Sequence, residues 1–286
     1  LDGAGEGTRT AYTLIGTSGG TLDVADPAGS LTISGDFEAQ GGFTKAGPGT
    51  LVLTRANALQ DTTITGGVLR VADPAALGFG PVSVTGGTLQ VAPGVVLQGQ
   101  SVTVDGGSLS AGSLTVGSSG LTTVAVTSGG ITGSPVIDVA AGGSLSLPGA
   151  TRTVVTATSL AVDDTASLLD LGSSAIQFAA GGIDAAALRA DILAGRGAGG
   201  WNGTTGITSS AAAATSGRAV GYVINGDGSG QVGYAAVGDA DLSGAVNVFD
   251  LVSINSSGKY GSGTAAIWSQ GDFNYDGVTN VFDLVG

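Results

Sequence analysis

The chain has 286 residues and a formal net charge of −13, with only 9 Lys and Arg in all. That balance argues against nucleic acid and against an anionic membrane surface as partners. There is no Cys and no His, which removes disulfides, thiolate nucleophiles, imidazole metal sites and the usual general base.

Gly accounts for 54 residues and charged residues for 11%, yet 42% of the chain is hydrophobic. A disordered polar chain lacks that hydrophobic content, so many short strands and tight turns are expected. No apolar run approaches the roughly 18 residues of a membrane span, and no transmembrane helix is expected. The sequence begins Leu1-Asp2, so any signal peptide is expected to have been removed already.

Internal repeats dominate the first half. T-T-I-T-G-G-V-L-R-V (62–71), V-S-V-T-G-G-T-L-Q-V (82–91) and V-T-V-D-G-G-S-L-S-A (102–111) align at a spacing of 20. Looser copies are G-G-T-L-D-V (19–24), G-S-L-T-I (29–33), G-T-L-V-L (49–53), G-S-L-T-V (112–116) and G-G-S-L-S-L (142–147). Each unit alternates at period 2, which marks half-buried strands. Its Gly-Gly pair supplies the positive φ of a corner. A unit this short cannot bury its own apolar face, and stacking of successive units solves the problem. Residues 10–175 are therefore read as a right-handed parallel β-helix, with an antiparallel sandwich as the alternative. The middle residue of x-L-x-V (Asp23, Arg70, Gln90, Ser110) should form an outward column. A solvated face is the plain reading of that column; a sugar-binding or catalytic row would have the same form.

This body resembles the autotransporter-associated β-strand repeats of large secreted bacterial proteins. The resemblance is carried by G-P-G-T-L-V-L-T-R-A-N (47–57), T-T-I-T-G-G-V-L-R-V-A-D-P-A-A-L-G (62–78) and G-P-V-S-V-T-G-G-T-L-Q-V (80–91). It implies a β-helical extracellular stalk or passenger and no particular enzyme activity.

After about residue 175 the pattern changes. In 183–194, Ile183, Ala187, Leu188 and Ile192 fall at helical spacing, with Asp184 in the first turn and Gly195 as the stop. A short helix through Ala211 and Ala214 follows a Ser cap, and 219–236 reads as a strand pair joined at Gly226-Asp227-Gly228. This segment is expected to cap the solenoid, with Trp201 as a lid residue; an aromatic sugar platform is the alternative for Trp201.

Residues 239–250 (D-A-D-L-S-G-A-V-N-V-F-D) and 272–283 (D-F-N-Y-D-G-V-T-N-V-F-D) repeat one another. Both carry oxygen side chains at loop positions 1, 3, 5, 9 and 12 and Gly at 6, the ligand pattern of an EF-hand calcium loop with Asp in place of Glu at 12. Two Ca2+ ions are expected. In the first loop the ligands are Asp239, Asp241, Ser243, the Ala245 carbonyl, Asn247 and Asp250. In the second they are Asp272, Asn274, Asp276, the Val278 carbonyl, Asn280 and Asp283. Gly244 and Gly277 make the sharp turns, and Val246, with Thr279 as a weaker counterpart, is placed to pack the two loops together. Carboxylates gathered this way repel unless a cation sits between them, so calcium is expected to order the module rather than to signal.

Residues 237–286 resemble a type I dockerin. Calcium ligation carries over at the loop positions just named. Cohesin recognition does not, because positions 10 and 11, usually small hydroxyl residues in that family, are Val248-Phe249 and Val281-Phe282. The basic pair of the first helix is missing, and the second helix is cut off at Gly286.

The sequence thus predicts a mainly β chain with a small C-terminal α module. Its parts are a solenoid over 1–175, a capping region over 176–236 and paired calcium loops over 237–286. Catalysis is not expected. The acids and bases an enzyme face would need (Asp105, Asp138, Arg70, Arg152) are scattered, and the adjacent acids Asp163-Asp164 suit a turn. The expected role is a secreted structural component of a surface, matrix or fibre that self-associates. An adhesin or scaffold binding a cohesin-like receptor is the alternative, and a polysaccharide-active β-helix enzyme is the more distant one.

Overall fold

The computed structural model describes residues 6–10, 13–118, 120–163 and 165–284. Leu1, Gly286 and Asp164, the second of the adjacent acids, lie outside them. The chain is mainly β, a β-solenoid of about 8 turns with few helices. It divides into two compact units, Leu1–Leu145 and Ser146–Gly286.

In the first unit the pairing is parallel, which excludes the antiparallel sandwich there. The strands Ser30–Ile33, Thr50–Leu53, Val68–Val71 and Thr88–Val91 stack in register, so that Leu31, Leu51, Leu69 and Leu89 form one column. Leu109 of strand Ser101–Ser110 continues it. A second column runs from Thr62–Ile64 through Val82–Val84 to Val102–Val104. Both columns turn their apolar residues inward: Leu51, Leu69, Leu89 and Leu109 are each 0% exposed. Each such leucine contributes about 2 kcal/mol by leaving water. A third, shorter face is built from Thr13–Ile15, Phe37–Ala39 and Ala58–Leu59.

The corner glycines have a physical reason. Gly67 and Gly87 adopt φ of 62° and 70°. The Gly67 carbonyl accepts the Thr88 N–H at 2.8 Å, and the Gly87 carbonyl accepts the Ser108 N–H at 2.9 Å. Successive coils therefore touch backbone to backbone at this corner. A Cβ on Gly87 would lie 2.7 Å from the Gly66 carbonyl carbon and closer still to the Gly67 oxygen.

The outward column is present in part. Arg70 stands beside Gln90, and Gln90 beside Ser110. Asp23 does not join them, because its strand Gly20–Asp23 pairs with Phe43–Ala46 on the other face. Strand Ser113–Val116 likewise leaves the x-L-x-V column and pairs with Val136–Val139. One inward position is charged. Lys45 is 0% exposed, and its Nζ donates to the carbonyls of Ala46 (2.7 Å), Gly47 (2.9 Å) and Gly66 (3.1 Å).

In the second unit, strands Val154–Ala157 and Ala175–Phe178 pair in parallel. An antiparallel hairpin, Arg218–Ile224 with Gly230–Ala236, then covers the free edge of Ala175–Phe178. Its turn is closed by Asp227 Oδ1, which accepts the Ser229 N–H at 2.9 Å. Helix α1 is Ala185–Arg196, capped by Asp184, whose Oδ1 accepts the N–H groups of Ala186 (2.8 Å) and Ala187 (3.0 Å). Gly195 is not its stop. It lies inside the helix, where any Cβ would run into the Ile207 carbonyl, and Gly197 ends the helix instead. Helix α2 is Ser210–Ala213, capped by Ser209.

Candidate metal centre

The two acidic loops fold alike, position by position. In the first, Asp239 Oδ2 accepts the Gly244 N–H at 3.0 Å; in the second, Asp272 Oδ2 accepts the Gly277 N–H at 3.1 Å. Asp250 Oδ1 accepts the N–H groups of Ala240 (2.8 Å) and Asp241 (3.2 Å), while its Oδ2 accepts that of Asn247 (2.7 Å). Asp283 repeats this with Phe273 (2.9 Å), Asn274 (3.1 Å) and Asn280 (2.9 Å). Gly244 and Gly277, at φ of 95° and 92°, make the sharp turns. Asn247 caps helix α3 (Val248–Ser256), and Asn280 caps the short 3-10 turn Val281–Asp283.

The charged groups are unevenly satisfied. Asp239 and Asp272 are each 1% exposed, and the Oδ1 atom of each is buried without a hydrogen-bond partner. Burial pushes both carboxyls above the ordinary Asp range, and neighbouring acids (Asp250 and Asp241 for Asp239, Asp283 and Asp276 for Asp272) push the same way. A buried carboxylate oxygen without a donor is costly unless it is protonated or faces a cation. Asp239, Asp241 and Asp250 also offer ligand oxygens within 4.8 Å of one another, the one such trio of acids among the described residues. This donor set suits a hard, oxygen-loving cation.

Other expected ligands are turned toward one another. Asp241 Oδ1 accepts the Ser243 N–H (2.9 Å), and the Ala245 carbonyl accepts Asn247 Nδ2 (3.0 Å) and Ser243 Oγ (3.3 Å). In the second loop Asn274 Nδ2 donates to Asp276 Oδ2 (3.2 Å), and Asp276 Oδ1 accepts the Val278 N–H (3.0 Å). Val246 is 57% exposed and lines a cleft with Phe273, Asp283 and Leu284 of the second loop. Thr279 is buried, but its strand-like bridge is to Tyr260.

The seat beneath the loops is aromatic, and its assembly escaped the sequence reading. Position 4 of each loop is a left-handed, buried side chain, Leu242 at φ 58° and Tyr275 at φ 65°. Tyr275 stands edge-on to Trp201 at 5.8 Å and stacks on Tyr222 at 6.3 Å, and its hydroxyl donates to the Val220 carbonyl. Trp268, 0% exposed, donates from Nε1 to the Asp239 carbonyl at 2.8 Å. Gly221 leaves the room: a Cβ there would lie 2.6 Å from both Leu242 Cδ2 and the Trp268 ring. Trp201 is thus a buried wedge rather than an aromatic platform for sugar, and its carbonyl accepts the Thr208 hydroxyl at 2.6 Å.

On the outer side the loops are apolar. Phe249 is 68% and Phe282 70% exposed, and Val248, Leu251, Val281 and Leu284 are exposed around them. The scattered acids and bases do not assemble. Arg70, Asp105 and Asp138 belong to different strands, and Asp105 accepts the Ser128 hydroxyl at 2.8 Å. Arg152 is turned toward the Leu242 carbonyl at 3.5 Å.

Residues 43–71 match the family model of the passenger-associated-transport-repeat. The matched stretch runs from strand Phe43–Ala46 to strand Val68–Val71 and holds the stacked pair Leu51 and Leu69. Together with the parallel coils it fits an autotransporter-type β-helix body. No curated protein and no solved structure matches the chain. No helix among the described residues is long and apolar enough to cross a membrane.

Proposed function

We propose that this chain is a non-enzymatic, extracellular structural protein. In this reading a passenger-like solenoid carries a dockerin-like C-terminal module that binds two Ca2+ ions and joins the chain to further copies. The carrying observation is the pair of matching loops, each with a buried, unpartnered oxygen at position 1 (Asp239 and Asp272). Calcium between the carboxylates would relieve both the desolvation and the mutual repulsion, so metal binding and ordering of the loops are linked. Millimolar calcium outside cells suits such a site.

The exposed Val-Phe pairs support docking. Two matching apolar ridges, Val248-Phe249-Leu251 and Val281-Phe282-Leu284, form a surface that water alone covers poorly. A second copy is the favoured occupant; a cohesin-like receptor is the alternative, motivated by the dockerin likeness of 237–286. Light scattering and negative-stain electron microscopy of the full chain, in calcium and then in chelator, test the reading. Calcium-dependent oligomers or filaments are expected. They should be lost on the double substitution Phe249→Ser and Phe282→Ser, which removes exposed side chains and leaves folding intact. A chain that stays monomeric at high concentration in calcium contradicts self-assembly.

A further inference from the structure

Each loop rests on one arginine of the second unit, and the two arginines behave differently. Arg189, on helix α1, donates from Nη2 to the Tyr275 carbonyl at loop position 4 (3.2 Å). The same Nη2 lies 3.7 Å from Asp272 Oδ2, and Asp272 is position 1 of the second loop. Arg152 makes the corresponding contact to the first loop, donating to the Leu242 carbonyl at 3.5 Å. No ion pair joins it to Asp239 among the described residues. The first loop thus keeps its position-1 carboxylate free of a resident cation, while the second does not.

The acids differ in the same sense. Asp239, Asp241 and Asp250 have ligand oxygens within 4.8 Å of one another. The second loop has Asn274 at position 3, and that amide donates to Asp276 at 3.2 Å. Each loop also holds a side chain that is nearly fully buried and has an unpartnered oxygen, Asp239 Oδ1 and Asp272 Oδ1.

We propose, resting on the calcium reading above, that the two loops are unequal sites. Residues 239–250 form the tight one and residues 272–283 the weak one, and Arg189 sets the difference. Both loops carry three Asp side chains. Only in the first do their oxygens draw within 4.8 Å of one another among the described residues, and a divalent cation entering the second sits close to a guanidinium that already balances Asp272. The first site then holds its ion as a permanent staple. The second fills and empties with the surrounding calcium concentration and reports through Arg189 to helix α1.

Isothermal titration of calcium chloride into the metal-stripped full chain tests this. Two steps are expected, separated by on the order of tenfold in Kd. Asp241→Asn and Asp276→Asn alter exposed ligands of near-equal size; the first, which gives position 3 the Asn that the second loop already has, should weaken the tight step, and the second should weaken the weak one. Arg189→Gln should tighten the weak step several-fold. Arg189→Lys, which keeps the charge, should leave it weak, and circular dichroism shows that each variant is folded. Two equal steps, weakening of the tight step by Asp276→Asn, or a weaker second step in Arg189→Gln each overturn the inequality and leave the calcium reading standing. No binding heat and no binding by equilibrium dialysis overturn both.

Discussion

Replacing Gly87 by Ala probes the coil-to-coil corner directly, because the chain supplies its own control at Gly94. Both glycines are left-handed, at φ 70° and 78°. A Cβ on Gly94 meets nothing within 4 Å, whereas one on Gly87 lies 2.7 Å from the Gly66 carbonyl carbon and is pressed against the Gly67 oxygen. The backbone strain of a left-handed alanine is about 1–2 kcal/mol at either site. At Gly87 the coil must also shift away from the Gly67 carbonyl, which accepts the Thr88 N–H at 2.8 Å. Weakening that bond adds about 1 kcal/mol, and lost packing on the neighbouring leucine column adds a similar amount. Gly87→Ala should therefore destabilise the first unit by about 3–4 kcal/mol and Gly94→Ala by about 1–2 kcal/mol. Denaturant unfolding followed by circular dichroism measures both. Equal losses would refute the claim that the glycine is required by the approach of the next coil.

Trp268→Ala should cost about 3–5 kcal/mol in the unfolding of the second unit, since it empties a fully buried site and frees the Asp239 carbonyl from its indole donor. A loss below about 1 kcal/mol would show that the aromatic seat does not hold the loops. Lys45 gives a pH dependence in the first unit. Burial lowers its pKa below 10.5, with Asp23 pulling partly back. The unfolded chain thus holds the extra proton between the lowered folded value and 10.5. Stability should rise as pH climbs through that window and fall again as pH drops through the folded value. Lys45→Met removes this titration, so the stability difference between wild type and variant should change across the window; a difference flat in pH contradicts it.

The solenoid was legible because its coil length is written as a repeat: Leu69, Leu89 and Leu109 recur at the spacing at which they stack. Phase was harder to read. G-G-T-L-D-V (19–24) matches the motif by letters, yet Asp23 lies beside Ala46, because every face of the coil alternates and a short motif fits more than one face. Gly195 read as a helix stop because glycine ends helices more often than it thins them. Here the neighbour Ile207, distant in sequence, decides its role. The shared geometry of the loops was legible in the turn glycines Gly244 and Gly277 and in the aspartates at positions 1 and 12, whose spacing is local. Their seat was not, since Trp201, Tyr222, Trp268 and Tyr275 are far apart in sequence and meet only through tertiary packing. Thr279 likewise takes a distant partner, since its strand-like bridge runs to Tyr260.

Thermal unfolding of the full chain in millimolar calcium, in chelator and in magnesium tests the central claim most directly. Binding to the folded state alone raises its stability by about 2.7 kcal/mol when the ion is at 100 times its Kd. The transition of the second unit should therefore move several degrees upward with calcium and far less with magnesium, which demands tighter octahedral geometry. The shift should shrink in Asp241→Asn and shrink further when Asp276→Asn is added. A melting curve indifferent to calcium would contradict a metal role for residues 239–250 and 272–283.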